Sequence, residues 1–401
     1  MTKMVRANLL QVVLGCGLLV CLLPAANGQS VATDVAESAA STEVTESTDV
    51  ATRGEAAGEA HPPLAPLPDA VVVDEQQAAL GRQLFFDPRL SGDATISCAT
   101  CHDPEHGWAD GLAMSDGYPG SRYFRNTPTV MNASLGTLLY WDGRLPAADL
   151  PTVVRDHIAE AHFFQADGRL VIERLRQVPE YEQSFQDAFG GEPTYGRILN
   201  AVAAFLKTLR SEQVPFDAYL RGDKAAMSAA AQRGYALFQG RAGCIQCHNG
   251  PMLSDGGFHS LGLRPNAALF RDPQRHITFR RFFRTLGVPG YENLRQDPGL
   301  LCVSKAKADL GKMRTPTLRE LTSTAPYMHD GQLATLADVV AFYNAGGGPL
   351  PSKDGRLQPL QLTAEEQADL VAFLEALSGV SPEITRPEIP NYQLRPLGDN
   401  H

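Results

Sequence analysis

The chain has 401 residues and a formal charge of −10, with 35 Lys and Arg against 45 Asp and Glu. That length exceeds one minimal domain and suggests two globular units. The acidic balance argues against nonspecific nucleic-acid binding but leaves room for a basic protein partner. Twenty-eight Pro and 36 Gly suggest long, defined loops around something large.

At the start of the chain, Lys3 and Arg6 precede a mainly apolar run from Leu9 to Ala26. Ala25-Ala26-Asn27-Gly28 then supplies small residues for cleavage. This reads as a secretory signal over residues 1–28, with an uncleaved anchor, or lipidation at Cys16 or Cys21, as the alternative. Residues 29–68 are rich in Ala, Ser, Thr, Glu and Pro, and carry too little apolar surface to offset the entropy of ordering. They are expected to be a flexible leader.

Structure is expected from about Val71. Asp74 can cap a helix carrying Leu80, Leu84 and Phe85. Residues 150–164 look helical, with an interrupted junction. Pro179 to Phe189 is another helix, its Pro tolerated in the first turn. Thr194 can cap a helix with Ile198, Val202, Phe205 and Leu209 on one face. Ser228 opens a further helix that ends near Gly240. Residues 266–310 hold several Arg and Pro without strong strand periodicity, and no element is assigned there. A helix from Leu336 to Tyr343 stops at Gly346-Gly347-Gly348. Thr363 and Glu366 form a capping box for the closing helix, which presents Leu370, Phe373, Leu374 and Leu377.

Two short motifs carry the chemistry. Cys98-Ala99-Thr100-Cys101-His102 and Cys244-Ile245-Gln246-Cys247-His248 each read as Cys-x-x-Cys-His, the pattern of covalent haem c attachment. The thiols form thioethers and the His supplies imidazole to iron. A dithiol pair or a zinc site is the alternative for each. Of seven Cys, two lie in the targeting segment and four in these motifs, so only Cys302 remains and there is no disulfide framework. The expected fold is mainly α, with two haem-centred domains and long connecting loops.

At Trp141-Asp142-Gly143-Arg144 and across Thr324 to Gly331, the sequence resembles the bacterial di-haem cytochrome c peroxidase and MauG superfamily. The two haem motifs, Arg125-Asn126-Thr127-Pro128-Thr129 and the Tyr-x-His-Asp-Gly element at 327–331 occur in family order. The resemblance spans roughly residues 71–380. It implies two cytochrome c-like haem domains: a peroxidatic one over 69–222 and an electron-transfer one over 223–385, with a tail at 386–401. It also implies two covalently attached haem c groups and one calcium ion. His102 and His248 would be proximal ligands of the two irons, and Trp141 would lie between the haems. Calcium would be held by the Asn126 side chain and the carbonyls of Thr324 and Pro326, with His329 orienting groups nearby. His259 is less informative.

Three positions separate the branches of that family. Classical members have an axial Met on the second haem, where this chain has Tyr343. MauG uses a Tyr there. Phenolate lowers the potential and favours shared high-valent oxidation, and Met328 is a competing ligand. Classical members also carry a displaceable distal His in a loop, where this chain has Tyr118, with His106 nearer the motif. This predicts a first iron open to peroxide without prior reduction. Finally, the family's distal Gln and Glu correspond to Pro151 and Ala161. Glu160 is the expected catalytic acid–base group, with His157 and His162 as alternatives.

The function implied is an exported, periplasmic di-haem peroxidase that reduces hydrogen peroxide. A small c-type cytochrome or copper protein would be the donor, and a homodimer is open. The alternatives are MauG-like maturation, in which Trp or Tyr of a partner protein is oxidised, and a non-enzymatic di-haem electron carrier.

Overall fold

The computed structural model describes residues 61–393. The expected signal segment and most of the leader lie outside the described residues. The described chain is mainly α-helical. Its first part holds α1 (Glu75–Phe86), α2 (Cys98–Cys101), α3 (Leu150–Ala159), α4 (Gly168–Leu175), α5 (Pro179–Phe189) and α6 (Tyr195–Thr208). There follow α7 (Pro215–Leu220), α8 (Ala229–Gln239), α9 (Ala267–Arg271), α10 (Pro273–Thr285), α11 (Leu301–Ser304), α12 (Leu336–Asn344) and α13 (Ala364–Glu375). Two antiparallel pairs of two-residue strands complete it: β1 (Leu138–Leu139) with β2 (Leu145–Pro146), and β3 (Phe258–His259) with β4 (Met313–Arg314).

Local chemistry explains the helix boundaries. Asp74, Thr194 and Ser228 each accept a backbone N–H at the start of α1, α6 and α8. Thr363 and Glu366 make the reciprocal capping box of α13. The helical run expected over 150–164 stops at Ala159, and Glu160 is the residue that ends it.

One packing device is used twice. In α1, a Cβ on Gly81 would fall 1.9 Å from the Ala201 carbonyl oxygen of α6. In α8, a Cβ on Gly234 would fall 1.9 Å from the Asp369 carbonyl oxygen of α13. Each helix pair therefore crosses backbone to backbone, which only glycine permits. Around the first crossing, Leu84, Phe85, Trp108, Val202 and Phe205 form a buried core. Around the second, Phe216, Phe238, Leu253, Phe373 and Leu377 form another. Leu64 and Leu67, placed in the leader by composition, pack on or near this second core, and the Leu67 N–H donates to Asp217 at 3.0 Å.

A third cluster was not read from the sequence. It joins Tyr123 and Phe124 to Phe279, Phe282 and Phe283 of α10. Asp272 caps that helix through the N–H groups of Gln274 and Arg275. The apolar residues sit at helical spacing on the inner face, while the Arg-rich outer face hides the pattern. Below it, Arg125 is fully buried between Asp297 (2.6 and 2.8 Å) and Asp142 (2.6 Å), and Arg144 reaches Asp142 at 3.1 Å. Asp297 follows the second motif in sequence and Asp142 the first, so these charges tie the two stretches together. After α13 the chain returns over the first core, where Gln393 N–H donates to the Gln177 carbonyl at 2.7 Å.

Candidate active site

The two motif histidines are held in the same way. His102 Nδ1–H donates to the Trp108 carbonyl at 3.1 Å, and His248 Nδ1–H donates to the Leu253 carbonyl at 2.9 Å. Trp108 and Leu253 both have left-handed backbones, with φ of 63° and 48°. Thr129 donates to the preceding carbonyl, Gly107, at 2.6 Å, and Thr317 does the same to Met252 at 2.7 Å. Each threonine closes a Thr-Pro-Thr segment whose proline carbonyl also touches the imidazole. Burial holds both imidazoles below the ordinary histidine range. Both are therefore neutral at physiological pH, with the tautomer fixed and the Nε2 lone pair free.

Both imidazoles line one cavity of about 790 Å³. Its wall also carries Cys244, Cys247, Trp141, His157, Met328 and Tyr343. Three of the motif thiols are held unionised: burial pushes Cys98 and Cys244 up to about 12 and Cys101 to about 11. Thiols raised in this way do not suit a reactive thiolate pair. Paired cysteines, an oriented imidazole and a large, mostly apolar cavity suit covalent haem. Cys247 also lies with Asp255 and His259 in a group whose ligand atoms are within 4.8 Å of one another.

The walls away from the two motif histidines differ. Near His102 lies His157 of α3, with ring centres 6.2 Å apart. The His157 ring is stacked against Phe163 at 4.4 Å and Tyr140 at 5.5 Å. Its Nδ1–H donates to the Val153 carbonyl at 2.9 Å, with the Tyr140 hydroxyl 3.1 Å away. Burial, then the neighbouring His102, lowers His157 to about 4, so its Nε2 is an unprotonated acceptor. On the side of Cys244 and Cys247 the wall carries Tyr343 of α12. Burial raises its phenol above the usual range, and the nearby Cys244 and Cys247 add to this.

Other expected residues fall in different places. Glu160 does not line the cavity. Its carboxylate lies 2.9 Å from His162 Nε2 and 3.6 Å from Arg144, and His162 leads the contacts that keep it ionised against burial. Tyr118 is also off the cavity wall and packs on the first core. Trp141 is on the wall and fixed at both ends. Its indole N–H donates to the Asn126 carbonyl at 2.9 Å, and its own carbonyl accepts from Arg314 N–H at 2.8 Å. Asn126, Thr324 and Pro326 meet on the same wall, with Asn126 Nδ2 3.3 Å from the Pro326 carbonyl. The Arg125–Asp142 pair, which flanks Asn126 and Trp141 in sequence, was missed. Two buried charges of opposite sign next to singled-out residues were the available signal.

Residues 75–225 match a family model described as di-haem cytochrome c peroxidase. Cytochrome-c peroxidase IdrP2 of Pseudomonas sp. (strain SCT) is 48% identical over 337 residues, which is 84% of this chain and 90% of that protein. The chain belongs to the di-haem cytochrome c peroxidase family. The methylamine utilization protein MauG of Methylorubrum extorquens is 38% identical over 331 residues, covering 82% of this peroxidase and 86% of the relative. Among solved structures, a MauG-like protein associated with microbial copper homeostasis superposes with a TM-score of 0.68 at 29% identity. It covers 83% of this chain and 99% of its own. Like these relatives, the peroxidase is a haem-dependent oxidoreductase. No helix among its described residues is long and apolar enough to cross a membrane.

Proposed function

We propose that this peroxidase is exported to the periplasm and reduces hydrogen peroxide with electrons from a small c-type cytochrome or copper protein, by a MauG-like route. In this reading residues 69–222 and 223–385 are two cytochrome c-like haem domains. Cys98, Cys101 and His102 would hold one haem, and Cys244, Cys247, His248 and Tyr343 the other. Bound there, the haems would supply the redox chemistry of O–O cleavage. The observation that carries the reading is the pair of identically anchored imidazoles on one cavity, with Trp141 on the wall they share.

The protein's own groups then have distinct tasks. His157 Nε2 takes the proton of the inner peroxide oxygen and returns it to the outer one, because its Nδ1 is occupied and its charged form is disfavoured. Glu160, expected from sequence to move that proton, acts at one remove through His162 and Arg144. Trp141, pinned at both ends, offers an oxidisable ring between the two halves. Tyr343 shares its side of the cavity with Cys244 and Cys247. Its phenol lines the cavity with no hydrogen-bond partner among the described residues, which supports its role as a ligand.

Calcium fits if the Asn126 amide is turned so that its oxygen, with the Thr324 and Pro326 carbonyls, faces one point. Water would fill the remaining positions.

Tyr343 equally suits a maturation enzyme that oxidises Trp or Tyr of a partner protein. The deciding experiment mixes fully oxidised protein with peroxide in a stopped-flow spectrometer. Reaction of the oxidised protein without prior reduction is expected, with a high-valent state shared between the two haems that is lost in Tyr343→Met. Protein inert until half-reduced would refute the MauG-like route.

A further inference from the structure

Charge is divided unevenly along this chain. Residues 264–312 contain ten Lys and Arg against four Asp and Glu, whereas the whole chain is at −10. The basic stretch therefore sits at +6 within a remainder at −16. It forms α9 to α11 and the turns between them. Arg264, Arg271, Arg281, Arg284, Arg295 and Lys305 are all exposed, and none has a carboxylate partner among the described residues. On α10 the outward row includes Ile277, 66% exposed, one turn before Arg281. An exposed aliphatic side chain amid unpaired cations is the make-up of a small, transient protein interface.

The inner face of the same helix leads to the first motif. Phe282 meets the His162 ring at 5.0 Å, His162 meets Phe163 at 4.2 Å, and Phe163 meets His157 at 4.4 Å. His157 and His102 are 6.2 Å apart. A row of packed rings thus runs from beneath the basic surface to His157, which shares the cavity wall with His102. Electron tunnelling favours such packed atoms over solvent gaps.

We infer that the outer face of α10, with the turns beside it, is the docking site of an acidic one-electron donor protein that delivers electrons toward the His102 half of the cavity. The inference rests on the peroxidase reading and names its partner by charge. The remainder of the sequence carries a net negative charge, which favours approach of such a donor to this face. Each encounter transfers one electron. Two encounters and two protons convert one peroxide to two waters, and the donor is oxidised twice.

The test uses holoenzyme, peroxide and two c-type cytochromes of similar potential but opposite net charge as donors. The acidic cytochrome should react faster at low salt and slow as salt rises. Arg281→Glu with Arg284→Glu should cut its rate at least tenfold and accelerate the basic cytochrome. Arg281→Gln with Arg284→Gln should give a smaller loss of the same sign. Turnover with a small neutral reductant should stay unchanged in both variants, which shows that the fold is intact. An acidic-donor rate unaffected by charge reversal would overturn the inference, as would preference for the basic cytochrome. So would tighter binding of duplex DNA or anionic vesicles than of the acidic donor, lost in the same variants. Wild-type protein that fails to reduce peroxide even with the small reductant would instead sink the peroxidase reading.

Discussion

The His102 and His248 halves of the cavity share a scaffold and differ in what lies away from it. Both place the imidazole under a left-handed carbonyl, brace that turn with a Thr-Pro-Thr threonine, and cross two helices at a glycine. The first half then presents an imidazole on α3, stacked between two rings. The second presents a phenol on α12 with no hydrogen bond among the described residues. On the proposed reading, holding a cofactor and choosing its chemistry are separate tasks, assigned to separate elements. The scaffold can repeat because orienting a ligand is the same problem twice. The remaining wall cannot repeat if one side moves protons and the other stabilises oxidised metal.

The largest effect should come from His157. His157→Ala should slow peroxide cleavage by about a hundredfold or more, in the range of a lost general acid–base group, while Tyr343→Phe leaves that step within a few-fold. Stopped-flow rates at saturating peroxide would measure both. Equal losses in the two variants would break the division between the halves.

A smaller effect concerns the charges that join the halves. Burial alone would raise Asp142, but Arg125 and Arg144 outweigh it and hold the carboxyl at about 2. The contribution to stability is complete above the ordinary carboxylate value of 3.8 and is lost as pH falls from there toward 2. About 2 kcal/mol should disappear in that window, read by urea unfolding between pH 5 and 2. Asp142→Asn should abolish this acid-dependent loss. An unchanged titration in that variant would show that other carboxylates govern it.

Much of this comparison was legible in the sequence. The Cys-x-x-Cys-His pairs marked two candidate cofactor sites, and Thr194, Ser228 and Thr363 announced helix starts, because these signals act over a few residues. Trp141 and Tyr343 were placed by family resemblance and do line the cavity. What could not be read was how residues distant in sequence share space. Glu160 and His157 are three residues apart, and a helix end separates them: His157 is still within α3, whereas Glu160 terminates it and turns to His162. The α10 helix was hidden because its Arg-rich face masks the spacing of Phe279, Phe282 and Phe283. The Arg125–Asp297 pair spans 172 residues, a separation that no local pattern encodes.

The most direct test of the central claim is electron paramagnetic resonance of fully oxidised holoprotein, in wild type, His157→Ala and Tyr343→Phe. Two distinct ferric signals are predicted. His157→Ala should alter only the signal of the His102 side, and Tyr343→Phe only that of the His248 side. A single variant that changes both signals, or a Tyr343 variant that changes neither, would contradict the account.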